Sequence, residues 1–73
     1  MKVKLRFLGT DSDGGSCPTV FATDRGTIVI QGVRVTDPEA LADLAARGLP
    51  HHETAVEVQP ELLRFAELRE RGA

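Results

Sequence analysis

The residues best suited to chemistry are one cysteine, Cys17, and a histidine pair, His51 and His52. A thiolate beside an imidazole forms a common nucleophile–base pair, and both groups are good zinc ligands. Cys17 stands in a Gly-Gly-Ser-Cys-Pro loop with no base near it in sequence, so a histidine reaches it only through the tertiary fold. The favoured interpretation is an inert thiol. The alternative is a small thiol- or metal-dependent enzyme that uses Cys17 with His51 or His52.

Two short segments contain parts of metal-site patterns, but neither pattern is complete. In His51-His52-Glu53, adjacent side chains of an extended segment point apart, and a zinc site needs three or four converging ligands. Asp11-Ser-Asp13-Gly14 begins like a calcium loop, but the twelfth position is Ala22 where that loop requires Glu. We therefore expect no metal and no other cofactor, and we expect turn chemistry at both segments.

The size of the chain favours a binding protein over an enzyme. Its 73 residues are 41% apolar and 27% charged, a composition typical of globular domains. A domain this small buries only about 60% of the surface exposed by its unfolded chain, so it often depends on a disulfide, a metal or a partner chain. One cysteine excludes an internal disulfide and indicates a reducing compartment. We expect a cytoplasmic, non-enzymatic protein that is stabilised by a partner chain.

Charge is distributed unevenly along the chain, which has a net charge of -2. Residues 1–35 carry five basic and three acidic side chains, whereas residues 36–73 carry four basic and eight acidic ones. The basic stripe of Lys2, Lys4 and Arg6 is short, and the chain has no Tyr or Trp for base stacking. Direct nucleic-acid binding is therefore a minor third option. No apolar run approaches the roughly 18 residues of a membrane helix, and the first residues lack the apolar segment of a signal peptide.

Alternating hydrophobicity predicts the strands. Residues 3–8 form the first strand, and a turn at Gly26 joins residues 19–23 to residues 27–31 in a hairpin. Gly32 then interrupts the pattern before residues 33–35. We expect the sheet to carry in its apolar layers Val3, Leu5, Phe7, Val20, Ile28, Ile30, Val33 and Val35.

Thr36 and Glu39 predict the start of a helix, because their spacing matches a capping box. Pro38 suits the first turn of this helix, and Gly48 follows its last residue, Arg47. Its inward face is expected to contain Leu41, Leu44 and Ala45.

A second strand–helix unit follows. Residues 53–58 alternate as a strand with Val56 and Val58 inward, and a helix begins at residues 59–61 and runs to about Arg71. Its inward residues are Leu62, Phe65, Ala66 and Leu68. The element order is β-β-β-α-β-α, which predicts a single α+β domain over residues 1–73 with a small antiparallel sheet and two short helices.

The run Ile28-Val29-Ile30 has apolar side chains on both faces of its strand. Either two layers of the same chain cover both faces, or a second chain covers one of them. The second interpretation predicts a homodimer whose interface includes Ile28, Ile30, Val33 and Val35.

The middle of the chain also resembles a known group of proteins. The stretch from Ser16 to Leu41 contains Pro18-Thr19, Thr23-Asp24-Arg25-Gly26 and Val35-Thr36-Asp37-Pro38-Glu39 in a form similar to short actinobacterial proteins encoded near helix-turn-helix regulators. By analogy, those loci are similar to loci that carry BldB-type small partner proteins. No catalytic residue belongs to this motif. The resemblance implies a non-enzymatic accessory protein of a transcription-regulatory locus, with a helix-turn-helix regulator as its partner.

Overall fold

A computed structural model describes residues 2–11 and 17–69 of the chain. Within these residues, the secondary structure is β1 (Leu5–Thr10), β2 (Thr19–Thr23), β3 (Ile28–Gln31), β4 (Val33–Arg34), α1 (Pro38–Arg47), β5 (Val56–Glu57) and a 3₁₀ helix (Pro60–Arg69). The fold is a small α+β fold with a three-stranded antiparallel sheet and two helices, as the sequence predicts, and it also contains a second small sheet. In the described part of the chain, neither helix is long and apolar enough to cross a membrane.

The main sheet has the strand order β1-β2-β3, and both strand pairs are antiparallel. The turn between β2 and β3 contains Gly26 at φ 81°, a conformation that favours glycine. Thr23 closes this turn, because its amide donates to the carbonyl of Thr27 at 2.9 Å and its hydroxyl accepts from the amides of Arg25 and Thr27 at 3.1 Å. The register of β1 against β2 shifts between Phe7 and Gly9, which marks a β-bulge.

A separate two-stranded ribbon contains β4 and β5. The sequence predicts that the later strand joins the main sheet, but it pairs with β4 and forms only two residues of strand, Val56–Glu57. Gly32 lies where the chain leaves the main sheet for the ribbon. A Cβ at Gly32 would lie 2.7 Å from Cγ1 of Val58, so glycine is needed for the chain to pass this close to β5.

Helix α1 begins one residue later than the capping box predicts. Asp37, not Thr36, is the N-cap residue, and its Oδ2 accepts a hydrogen bond from the amide of Ala40 at 2.9 Å. A carboxylate suits this position better than a hydroxyl, because it also interacts with the positive end of the helix dipole. Pro38 occupies the first turn and Gly48 ends the helix at φ 99°, both as predicted.

The 3₁₀ helix is the predicted second helix with a tighter winding. Its three residues per turn place Leu62, Phe65 and Leu68 on one side, and these three are buried or half-buried. The exposed Leu63 lies between them in sequence, at 52% exposure. Ala66, which is also predicted to face inward, is half-buried as well, and apart from it the observed burial follows a period of three.

The hydrophobic core is small and lies between β2 and the 3₁₀ helix. Among the described residues, the buried apolar side chains are Val20, Ala22 and Leu62. Of the residues predicted for the apolar layers of the sheet, Val3 lies before β1 and Val33 lies outside the main sheet in β4. Leu5 and Phe7 are in β1, but their side chains are exposed, as are those of Val3 and Val33. In α1 no residue is buried, and Ala40 and Leu44 are half-buried whereas Leu41 and Ala45 are exposed.

Candidate interaction surface

The residues that could do chemistry lie in separate exposed segments. Cys17 is exposed just before β2, and its carbonyl oxygen accepts hydrogen bonds from Thr19 Oγ1 at 2.9 Å and Gln31 Nε2 at 3.3 Å. His51 and His52 lie in the turn after α1, where the Nε2 atom of His52 is 3.9 Å from a carboxylate oxygen of Glu53. The thiol- or metal-dependent enzyme stays a prediction, which thiol titration and elemental analysis can check.

Of the two incomplete metal patterns, the acidic one can be placed only in part. Asp11 directly follows β1 and is the last residue of the first described range, whereas Asp13 and Gly14 lie outside the described residues. Within residues 2–11 and 17–69, no three His, Cys, Asp or Glu side chains are grouped so that they could hold a metal ion.

The position of the 3₁₀ helix defines which face of the main sheet is covered. Phe65 lies directly over Gly9, since a Cβ at Gly9 would be 2.5 Å from Cε1 of the Phe65 ring. Gly9 is paired with Val20, and Val20 with Ile30, so these residues share one face of the sheet. Ile28 lies on the same face, two residues away along β3. The predicted interface residues Ile28 and Ile30 are thus half-buried on the covered face.

The opposite face of the main sheet is apolar and exposed, and we call it the open face. Its apolar residues are Leu5, Phe7, Phe21 and Val29, in which Phe7 pairs with Phe21 and Phe21 with Val29. Thr23 lies on the same face opposite Leu5, and Phe21 is half-buried between its neighbours. Phe7 is 60% exposed, Leu5 is 51% exposed and Val29 is 38% exposed. The Phe7 and Phe21 rings pack edge to face with centroids 6.3 Å apart, so they form one continuous surface. Contiguous exposed apolar patches of this kind mark interaction sites in soluble proteins.

The alternation in sequence predicts β1, but the apolar side chains of this strand lie on the face that the 3₁₀ helix does not cover. Arg6 is paired with Ala22 and therefore lies on the side of the 3₁₀ helix, whereas Leu5 and Phe7 point away from it. One signal was present in the sequence: Gly9 has no side chain, and a helix can approach a strand most closely at such a residue.

An ion pair helps to hold the 3₁₀ helix on the covered face. The guanidinium of Arg64 donates to both carboxylate oxygens of Asp11, at 3.1 and 3.2 Å, and Nη1 also donates to the carbonyl of Glu61 at 2.6 Å. The Arg64 guanidinium also lies 4.2 Å from the centre of the Phe65 ring. The contact with Asp11 joins the residue after β1 to the 3₁₀ helix and so helps to hold the helix on the face opposite Phe7, whereas the contacts with Glu61 and Phe65 lie within the helix.

The other two predicted interface residues belong to the ribbon. Val33 is 58% exposed in β4, and Val35 is half-buried just after it. Both line a groove between the ribbon and α1, which we call the ribbon groove. The four residues predicted from sequence therefore lie on two different surfaces, neither of which is the open face.

Comparisons with protein-family models, with curated proteins and with solved structures found no significant match for this chain.

Proposed function

We propose that this protein is a non-enzymatic protein–protein interaction module that forms a homodimer through the open face. The observation that carries the proposal is the arrangement of Leu5, Phe7, Phe21 and Val29 on a sheet face that the described residues leave exposed. Burial of apolar side chains is the main favourable term in folding and in most protein association. A second copy that presents the same face would bury both surfaces together.

The large exposed area of the chain supports association with a second copy. The chain exposes 5831 Å², whereas a monomeric protein of 7.9 kDa exposes about 4400 Å² by the usual scaling with mass. The excess of about 1400 Å² is distributed over the whole chain, including the ribbon and α1, so it indicates surface available to a partner without assigning that surface to one face. The radius of gyration of 13.8 Å also exceeds the value of about 11 Å expected for a compact domain of this length.

The cellular role in this proposal comes from the sequence resemblance. The module would act in the cytoplasm as an accessory protein of a transcription-regulatory locus and would bind a helix-turn-helix regulator. The motif from Ser16 to Leu41 supports this context, and the uneven charge supports contact with a protein more than with nucleic acid.

Sedimentation velocity on the full chain tests the homodimer. The same change, valine to aspartate, is made at one position on the open face and at one position on the ribbon. Val29→Asp places a carboxylate on the open face, and Val33→Asp places one on the ribbon, where the side chain is more exposed. We expect wild type and Val33→Asp to be dimers at high micromolar concentration. We expect Val29→Asp to weaken the dimer about 100-fold or more, because burying two unpaired carboxylates costs several kcal/mol.

Circular dichroism must show that both variants remain folded. A wild-type chain that is monomeric at high micromolar concentration would refute the homodimer. A dimer that survives Val29→Asp but dissociates in Val33→Asp would show that the interface lies on the ribbon, near the residues that the sequence predicts.

A further inference from the structure

The ribbon groove is a second surface that the proposed dimer does not use. It has a volume of about 640 Å³ and lies between α1 and the strands β4 and β5. Much of its lining is apolar and is contributed by Val35, Ala40, Leu44, Ala55 and Val56. The groove is therefore large enough to receive several side chains of another protein.

Helix α1 has an apolar side that the described residues bury only in part. No residue of α1 is buried, although Ala40 and Leu44 are one turn apart and both line the groove. Across the groove, Val56 in β5 is 39% exposed. A helix with an apolar stripe normally packs that stripe against another element. Within the described residues, this packing is only partly achieved.

The charge of the groove indicates the chemistry of its occupant. Three carboxylates line it, from Asp37, Asp43 and Glu57, against one cation, Arg34. All four residues are exposed. The wider segment of residues 33–59, which contains β4, α1 and β5, carries five acidic and two basic side chains. This surface repels phosphate groups and attracts cations, and complementary charge of this kind selects partners and accelerates their encounter.

We propose that the ribbon groove binds a cationic amphipathic helix of a partner protein. Apolar side chains of the partner helix would contact Leu44 and Val56, and its Lys or Arg side chains would reach Asp43 and Glu57 at the rim. Binding of an amphipathic helix in an apolar groove is a recurrent mode of recognition. The inference rests on the proposed function, since both hold that the chain acts by binding protein, and it adds the chemistry of the partner.

Fluorescence polarisation with a designed peptide tests this proposal on the full chain. The probe is a labelled helical peptide of about 18 residues, or five turns, made of Leu, Ala and Lys with the leucines on one face. A peptide of the same composition in scrambled order lacks the apolar face and serves as its control. We expect the amphipathic peptide to bind more tightly than the scrambled one, and its binding to weaken as salt is added.

Matched charge reversals locate the binding site. Asp43→Lys changes the rim of the groove, whereas Glu67→Lys makes the same change at an exposed position on the 3₁₀ helix. We expect Asp43→Lys to weaken peptide binding about fivefold, because replacing an attraction by a repulsion at an exposed position is worth about 1 kcal/mol. We expect Glu67→Lys to leave the affinity within twofold of wild type.

Three results would overturn the groove proposal. The first is equal binding of the amphipathic and scrambled peptides, and the second is an equal loss in Asp43→Lys and Glu67→Lys, which would indicate nonspecific attraction. The third is loss of the dimer in Asp43→Lys, which would make a second copy the occupant of the groove. Val29→Asp separates this proposal from the homodimer, since it should dissociate the dimer and still bind the peptide.

Discussion

Replacing Gly9 by alanine tests which face of the sheet the 3₁₀ helix covers. The backbone at Gly9 is compatible with alanine, because the described glycines with positive φ are Gly26 and Gly48. In such a strand position, glycine to alanine normally stabilises a protein by about 0.4–1 kcal/mol, since it reduces the entropy of the unfolded chain. Here the contact between Gly9 and the 3₁₀ helix predicts that Gly9→Ala lowers the free energy of unfolding.

The magnitude follows from the space above Gly9. A methyl group there would lie 2.5 Å from Cε1 and Cγ of the Phe65 ring, whereas ordinary carbon–carbon contacts lie at about 3.5–4.0 Å. The ring or the helix must therefore move by about 1 Å, and overpacking of this kind costs about 1–3 kcal/mol. A 73-residue domain has a free energy of unfolding of about 4–11 kcal/mol, so the loss is a large part of the total.

Urea unfolding followed by circular dichroism measures this effect. For a small domain, an m-value near 1 kcal/mol per molar urea converts the expected loss into a midpoint lower by about 1–3 M. Introducing Phe65→Leu into both the wild type and the Gly9→Ala variant completes a double-mutant cycle. We expect Gly9→Ala to lower the free energy of unfolding much less when the Phe65 ring is absent. A midpoint that rises in Gly9→Ala, or a cycle with no coupling to Phe65, would refute the assignment of the covered face and with it the open face.

Two further predictions concern the contacts that fix the helices. Arg64→Ala should lower the free energy of unfolding by about 0.2–1 kcal/mol, because the pair with Asp11 is partly exposed. The loss should shrink at high salt, and an unchanged loss in an Asp11→Asn background would show that the ion pair is not its cause. Asp37→Ala should lower stability by about 1 kcal/mol in the same urea assay, whereas Thr36→Ala should have little effect. A larger loss of stability in Thr36→Ala than in Asp37→Ala would show that Thr36 is the N-cap residue, as the capping box predicts.

Local sequence patterns determined the elements of this fold. The alternation in β1, the glycine at the β2–β3 turn and the spacing of Leu62 and Phe65 each predicted an element that the structure contains. These signals act over a few residues, because side-chain period, backbone conformation and capping are local properties. For the same reason, the predicted bounds of β1 and α1 differ from the observed bounds by only one or two residues.

Only the tertiary structure decided which face of each element is covered. Alternation divides β1 into two faces, but it does not say whether Leu5 and Phe7 or the face of Gly9 meets the 3₁₀ helix. That choice depends on Phe65 and Arg64, which lie more than fifty residues away in sequence, and on the contacts they make with Gly9 and Asp11. Likewise, the ribbon groove exists because β5 pairs with β4. The sequence shows the charges of these segments, but it does not show that the segments lie side by side. Residue types determine what a surface can bind, and packing between distant segments determines which surfaces remain to bind it.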